Sequence, residues 1–183
     1  AYELQERYLS EAYQYVKSGQ AEGIRLSTRP DYISERILEL LRNYGVTCIE
    51  LGAQSTNDEV LSQSGRGHTF EDITDASKMI DEFGFELGLQ MMIGLPADTF
   101  ERSLQTARDI IKLGASDTRI YPTLVVKGTK LEKLYKEGKY KPLSLDEAVS
   151  YSKSVYKLFI DNKVKVIRTG LHPSEELTPG HSL

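Results

Sequence analysis

Two kinds of apolar pattern alternate along this chain, and each predicts a different element. GIRLST (23–28), VTCIELGA (46–53), ELGLQMMIGLP (86–96), DTRIYPTLV (117–125) and VKVIRTGL (164–171) are short apolar runs and predict strands. Between them lie amphipathic stretches. PDYISERILELLRNYG carries Ile33, Ile37, Leu40 and Leu41 at helical spacing and stops on Gly45. FEDITDASKMIDEFG (70–84) is apolar through Ile73, Ala76, Met79 and Ile80 and stops on Gly84. TFERSLQTARDIIKLG (99–114) has Thr99 as its N-cap and Gly114 as its stop, and SLDEAVSYSKSVYKLFIDN (144–162) is the longest helix pattern. The opening AYELQERYLSEAYQYVKSGQ is helical too, and not a signal peptide.

Strand, helix and glycine in repeated order predict βα units on a parallel sheet with right-handed crossovers, in a β/α barrel or a doubly wound sheet. The polar residues favour the barrel, because Ser27-Thr28-Arg29, Gln54-Ser55, Gly94-Leu95-Pro96 and Tyr121-Pro122-Thr123 each close a strand. Five strands do not complete a barrel of eight, so the expected α/β fold is a partial (β/α) barrel. The chain opens within a helix pattern and without Met, and the expectation is a fragment of a larger protein.

Composition narrows the function classes. With 183 residues, 39% hydrophobic and 27% charged, this is an ordinary globular composition. No run reaches the roughly 18 apolar residues of a membrane span, and a cytoplasmic protein is expected. A net charge of −4 does not advertise nucleic acid, although clustered cations could still do so locally. Cys48 is the sole cysteine, in an apolar strand, which excludes an internal disulfide and a cysteine-ligated metal site. His68, His172 and His181 lack metal-ligand spacing, and no metal residue is assigned.

Catalytic patterns are missing as well. Asp31, Asp58 and Asp98 sit where helix N-caps belong, Ser55 has no nucleophile-elbow setting, and no complete Gly-x-Gly-x-x-Gly follows a strand. No catalytic residue is assigned. What remains is recognition chemistry. Gln54 offers an amide to a hydroxyl or base edge. Arg66 offers a planar fork to a carboxylate or phosphate, between Gly65 and Gly67, unless SGRGHT is merely a solvated turn. Gln90 interrupts an apolar strand. Arg29, Arg119, Lys127 and Arg168 follow or close strands and would converge on one basic mouth.

LSTRPDYI (26–33), LGAQSTNDEVLSQSGRGHT (51–69), LQMMIGLPADT (89–99) and YPTLVVKGTKLEKLYKEGKY (121–140) together resemble the radical S-adenosylmethionine (SAM) superfamily. The likeness is strongest to the group of the Elongator catalytic subunit, with oxygen-independent coproporphyrinogen III oxidases more distant. The resemblance implies a (β/α)6 barrel that binds SAM and a [4Fe–4S] cluster and generates a 5′-deoxyadenosyl radical. It places Gln54 and Ser55 at the ribose, with Gln90 a second ribose contact. It places Arg66 at the methionyl carboxylate, Ser27 near the amino group where many relatives carry Glu, and Met92 and Tyr121 near the adenine. Arg29, His68 and Lys127 are then expected on the substrate side.

The three-cysteine cluster motif of that family is absent. Residues 1–171 are therefore expected to be the C-terminal portion of the barrel, 172–183 a tail or truncated loop, and the piece inactive by itself. Its parent would be an oxidoreductase or a tRNA-modifying transferase, with a small molecule or tRNA as substrate and the missing N-terminal segment as partner. The alternative is a cluster-free βα module that binds a nucleotide or tRNA through the basic mouth.

Overall fold

The computed structural model describes residues 2–171; the expected tail, 172–183, lies outside them. Five strands, β1 (Ile24–Thr28), β2 (Val46–Gln54), β3 (Glu86–Ile93), β4 (Asp117–Pro122) and β5 (Lys165–Thr169), form one sheet. All four pairings are parallel, and the order is β1-β2-β3-β4-β5. That order separates the two folds left open above. A doubly wound sheet reverses direction at a switch point, whereas right-handed crossovers between successive neighbours put every helix on the same face. The sheet is the wall of a partial barrel.

The helices are α1 (Tyr2–Lys17), α2 (Glu35–Asn43), α3 (Asp58–Gln63), α4 (Phe70–Glu82), α5 (Phe100–Lys112), α6 (Lys130–Lys136) and α7 (Leu145–Asp161). Alternation along the strands gives the sheet two unlike faces. One presents Ile49, Leu51, Ala53, Leu89, Met91, Ile93 and Ile120, fully buried against Leu38, Ile73, Ile80, Ile110, Val155 and Phe159 of the helices. The other, concave face carries the polar residues.

The starts of α3 to α7 are fixed by side-chain caps, with one correction to the expected ones. Asp31, Asp58 and Asp98 are not N-caps. The caps of α3 and α5 are the neighbouring Asn57 and Thr99, which accept from the Val60 and Arg102 amides. Asp58 instead accepts the Phe70 amide at 2.8 Å and ties the start of α4 to α3, and Asp31 lies in a 3-10 turn, Pro30–Tyr32. Thr69 and Ser144 form complete capping boxes with Asp72 and Glu147.

Candidate functional site

The concave face is built in two layers. In the lower one, Arg25 reaches from β1 to Glu50 on β2 (3.1 Å) and to both Asp117 carboxylate oxygens on β4, one of them at 2.8 Å. Arg119 Nε lies 2.8 Å from Glu50. Glu50 is 1% exposed, so two arginines offset a charge removed from water. Asp117 holds the Arg25 guanidinium well above its ordinary value. Gly88 of β3 makes the crossing possible. A Cβ there would stand 2.6 Å from Asp117 Oδ1 and 2.7 Å from Arg25 Nη2.

The upper layer gathers the expected cofactor residues. Gln90 Nε2 and Ser27 Oγ are 3.5 Å apart, Met92 is in register with Tyr121, and Gln54 pairs with Met91. Arg66 reaches over from the loop after α3, where Gly65 and Gly67 have φ of 66° and 75°. Its Nη2 lies 3.0 Å from the Met92 sulfur, and its Nε is buried without a hydrogen-bond partner. Burial first, and the charge of Arg29 second, hold the Arg66 guanidinium below its ordinary value.

At the end of β2 the chain turns sharply. Gln54 has a φ of 66°, and the Ser55 amide donates to the Ala53 carbonyl at 2.8 Å. This is the three-residue turn with positive central φ, strained for a residue with a side chain. Gln54 keeps its side chain over Gly52 on the concave face. Ser55 swings away, and its expected place at the ribose is corrected. It is 2% exposed, lies 3.3 Å from Thr106 of α5 and accepts the Asn57 amide.

The expected substrate-side residues fall in three settings. Arg29 pairs with Asp31 at 2.7 Å and lies over the Tyr32 ring. His68 is buried, with Nε2 3.1 Å from the Ala53 carbonyl. Lys127 is exposed beyond β4, where its charge acts on Glu132. The four-cation mouth is also revised: Arg119 serves the lower layer and Arg29 has its own carboxylate. Arg168, in register with Arg119, has a buried Nε without a hydrogen-bond partner.

The GLPADT loop beside Met92 is pinned from both sides. Asp98 accepts from the Gly94 amide (2.8 Å), the Thr99 amide (2.9 Å) and the Ser103 hydroxyl (2.7 Å). Burial raises Asp98 above the usual carboxylate range despite these donors. The Tyr140 hydroxyl donates to the Gly94 carbonyl at 2.6 Å, and burial pushes it up to about 12.

Sequence reasoning missed Arg25, Glu50, Gly88, Asp117 and Tyr140. The available signal for the first four was a polar or bare position at alternate places in apolar strands. Tyr140 carried no local signal.

A parallel sheet wound in one direction, with a charged interior face and polar groups at its strand ends, defines a partial β/α barrel whose mouth is the candidate site. This chain belongs to the radical SAM superfamily, whose family model matches residues 2–110, while the model of the Radical_SAM C-terminal domain matches residues 116–182. It is 34% identical over 136 residues to the tRNA uridine(34) acetyltransferase of Methanocaldococcus jannaschii, covering 71% of this chain and 25% of that protein. It is 35% identical over 130 residues to Elongator complex protein 3 of Homo sapiens, covering 69% and 24%. The chain thus spans about a quarter of the length of these curated relatives. Among solved structures it is similar to the archaeal Methanocaldococcus infernus Elp3 with an N-terminal deletion (TM-score 0.66, 24% identity, 80% of this chain and 43% of that one). It is also similar to coproporphyrinogen III oxidase from Escherichia coli (TM-score 0.64, 18% identity, 86% and 37%).

Proposed function

We propose that the strand-end site binds SAM within a radical SAM enzyme that modifies tRNA. One observation carries the cofactor assignment: Arg66, a half-buried guanidinium whose Nε is unpartnered and whose Nη2 contacts a thioether, a weak acceptor. A buried cation without a carboxylate is matched by a ligand that brings one. Arg66 would hold the methionyl carboxylate, Gln54 and Gln90 the ribose hydroxyls, and Ser27 the amino group. Met92 and Tyr121 would flank the adenine, with the pinned GLPADT backbone beneath it, and Arg29 and Lys127 would lie on the substrate side.

Reductive cleavage of SAM is the chemistry that a [4Fe–4S] cluster supplies when bound. The residues of this chain do not fit that cluster. Cys48 is a lone, buried cysteine, and the described residues include no group of three or more His, Cys, Asp or Glu able to hold a metal. The cluster ligands would come from elsewhere in the protein, and residues 1–183 alone would be inactive.

The tRNA assignment rests on the similarity to the tRNA uridine(34) acetyltransferase and on one feature of this chain. KGTKLEKLYKEGKYK (127–141) holds six lysines and two glutamates, a net +4 within a chain of −4. It follows β4 on the side of the mouth, and phosphates would be met there by its net positive charge.

Calorimetric titration of the full-length protein with SAM, wild type against Arg66→Ala, tests the first half. Loss of a charge-assisted carboxylate contact should weaken binding about tenfold or more. Unchanged affinity would overturn the Arg66 assignment. Salt-sensitive tRNA binding with no SAM binding would favour the cluster-free nucleic-acid module instead.

A further inference from the structure

Gln54 is held in a backbone conformation that it would not choose. Its φ of 66° is costly for any residue bearing a Cβ, and such strain persists only where surroundings over-determine it. The Ser55 amide closes the turn by donating to the Ala53 carbonyl. The same carbonyl takes a second hydrogen bond, from a residue fifteen positions away: His68 Nε2, at 3.1 Å. A carbonyl only accepts, so Nε2 carries a hydrogen and donates it. Nδ1 is buried without a partner, and the ring is 5% exposed. Among the described residues, Ala53 is the hydrogen-bond partner this imidazole has.

The local chain explains how the ring arrives there. Arg66, Gly67 and His68 are consecutive in sequence, and Gly67 with a φ of 75° lets the chain turn between the two side chains. One goes outward to Met92 and the other inward to Ala53. The Arg66 loop is thereby fastened to the turn that aims Gln54.

We propose that His68 is a positioning residue, which locks the Ala53–Gln54–Ser55 turn and so fixes Gln54 and Arg66 relative to each other over one ligand. It serves the site through the backbone of β2 and does not touch the ligand. This rests on the SAM assignment for the ligand's name only, because the coupling of the two recognition side chains is read from the geometry.

The test uses the full-length protein. His68→Gln keeps an amide nitrogen near the Nε2 position, and His68→Leu removes the donor. Crystal structures should show Gln54 at positive φ in wild type and His68→Gln, and relaxed to negative φ in His68→Leu. Where the leucine variant does not fold, His68→Asn, too short to reach Ala53, gives the same comparison. SAM titration of His68→Leu, Gln54→Ala and the double variant supplies the second readout. Each single change should weaken binding by about tenfold, the glutamine variant should restore it, and the double variant should be no worse than either single one. Positive φ at Gln54 in the donor-less variants, or losses that multiply in the double variant, would overturn the proposal. A wild type that binds no SAM would count against the cofactor assignment, and the crystal structures would then decide the positioning role by themselves.

Discussion

Gly88 carries more of the site than any side chain its size could. Arg25 spans from β1 to β4 only because β3 presents no Cβ between them. Gly88→Ala should push the Arg25 and Asp117 side chains apart and leave Glu50, 1% exposed, with a weaker pair of cations. A loss of about 1–3 kcal/mol is expected from overpacking alone, read by urea denaturation. Wild-type stability would show that the network relaxes without cost. At this scale the sequence told unevenly. Arg66 and Gln54 were readable because glycines flank the one and a strand end precedes the other. The ion network was hidden because a charged residue in a strand looks alike whether it meets water or two partners across the sheet. Ser55 was misplaced for a third reason: it follows Gln54 in a strand whose residues alternate, so it serves the helix face of Ile49, Leu51 and Ala53, against Thr106, and not the face of Gln54.

The strands and long helices followed the apolar periodicity closely, since burial on one face of a sheet imposes it. The short α3 and α6 did not. Six- and seven-residue helices lack room for a full apolar stripe, and their local marks are the caps Asn57 and Thr129 with acidic residues in the first turn. The GLPADT connection makes a prediction of its own. Burial raises Asp98 above its ordinary 3.8, so the folded state binds its proton more tightly than the unfolded chain does. That contribution is complete below about 3.8 and is lost as pH rises through the folded value. Stability measured from pH 3 upward for wild type and Asp98→Asn should differ by a component that falls across that window and is then flat. A difference that rises with pH would mean that the three donors outweigh burial.

For the whole molecule, the order β1-β2-β3-β4-β5 decided between two architectures that share every local signal. Sequence periodicity cannot distinguish a sheet wound one way from a sheet wound both ways, because both use the same βα unit. Only the spatial order of the strands does. It also brings the LSTRP, GAQST, GRGHT and MMIGLP stretches to one rim, which is why motifs spread over seventy residues describe a single site. No helix among the described residues is long and apolar enough to cross a membrane. The central claim is that this rim holds SAM for radical chemistry completed by a cluster bound elsewhere in the protein. The most direct measurement is chromatographic detection of 5′-deoxyadenosine from full-length protein, reconstituted anaerobically with iron and sulfide, shown to be loaded by its visible absorbance, and supplied with dithionite and SAM. Formation of 5′-deoxyadenosine by wild type, with a marked loss in Arg66→Ala, is predicted. A loaded wild type that leaves SAM intact, or an Arg66→Ala variant that cleaves it as well as wild type, would contradict the account.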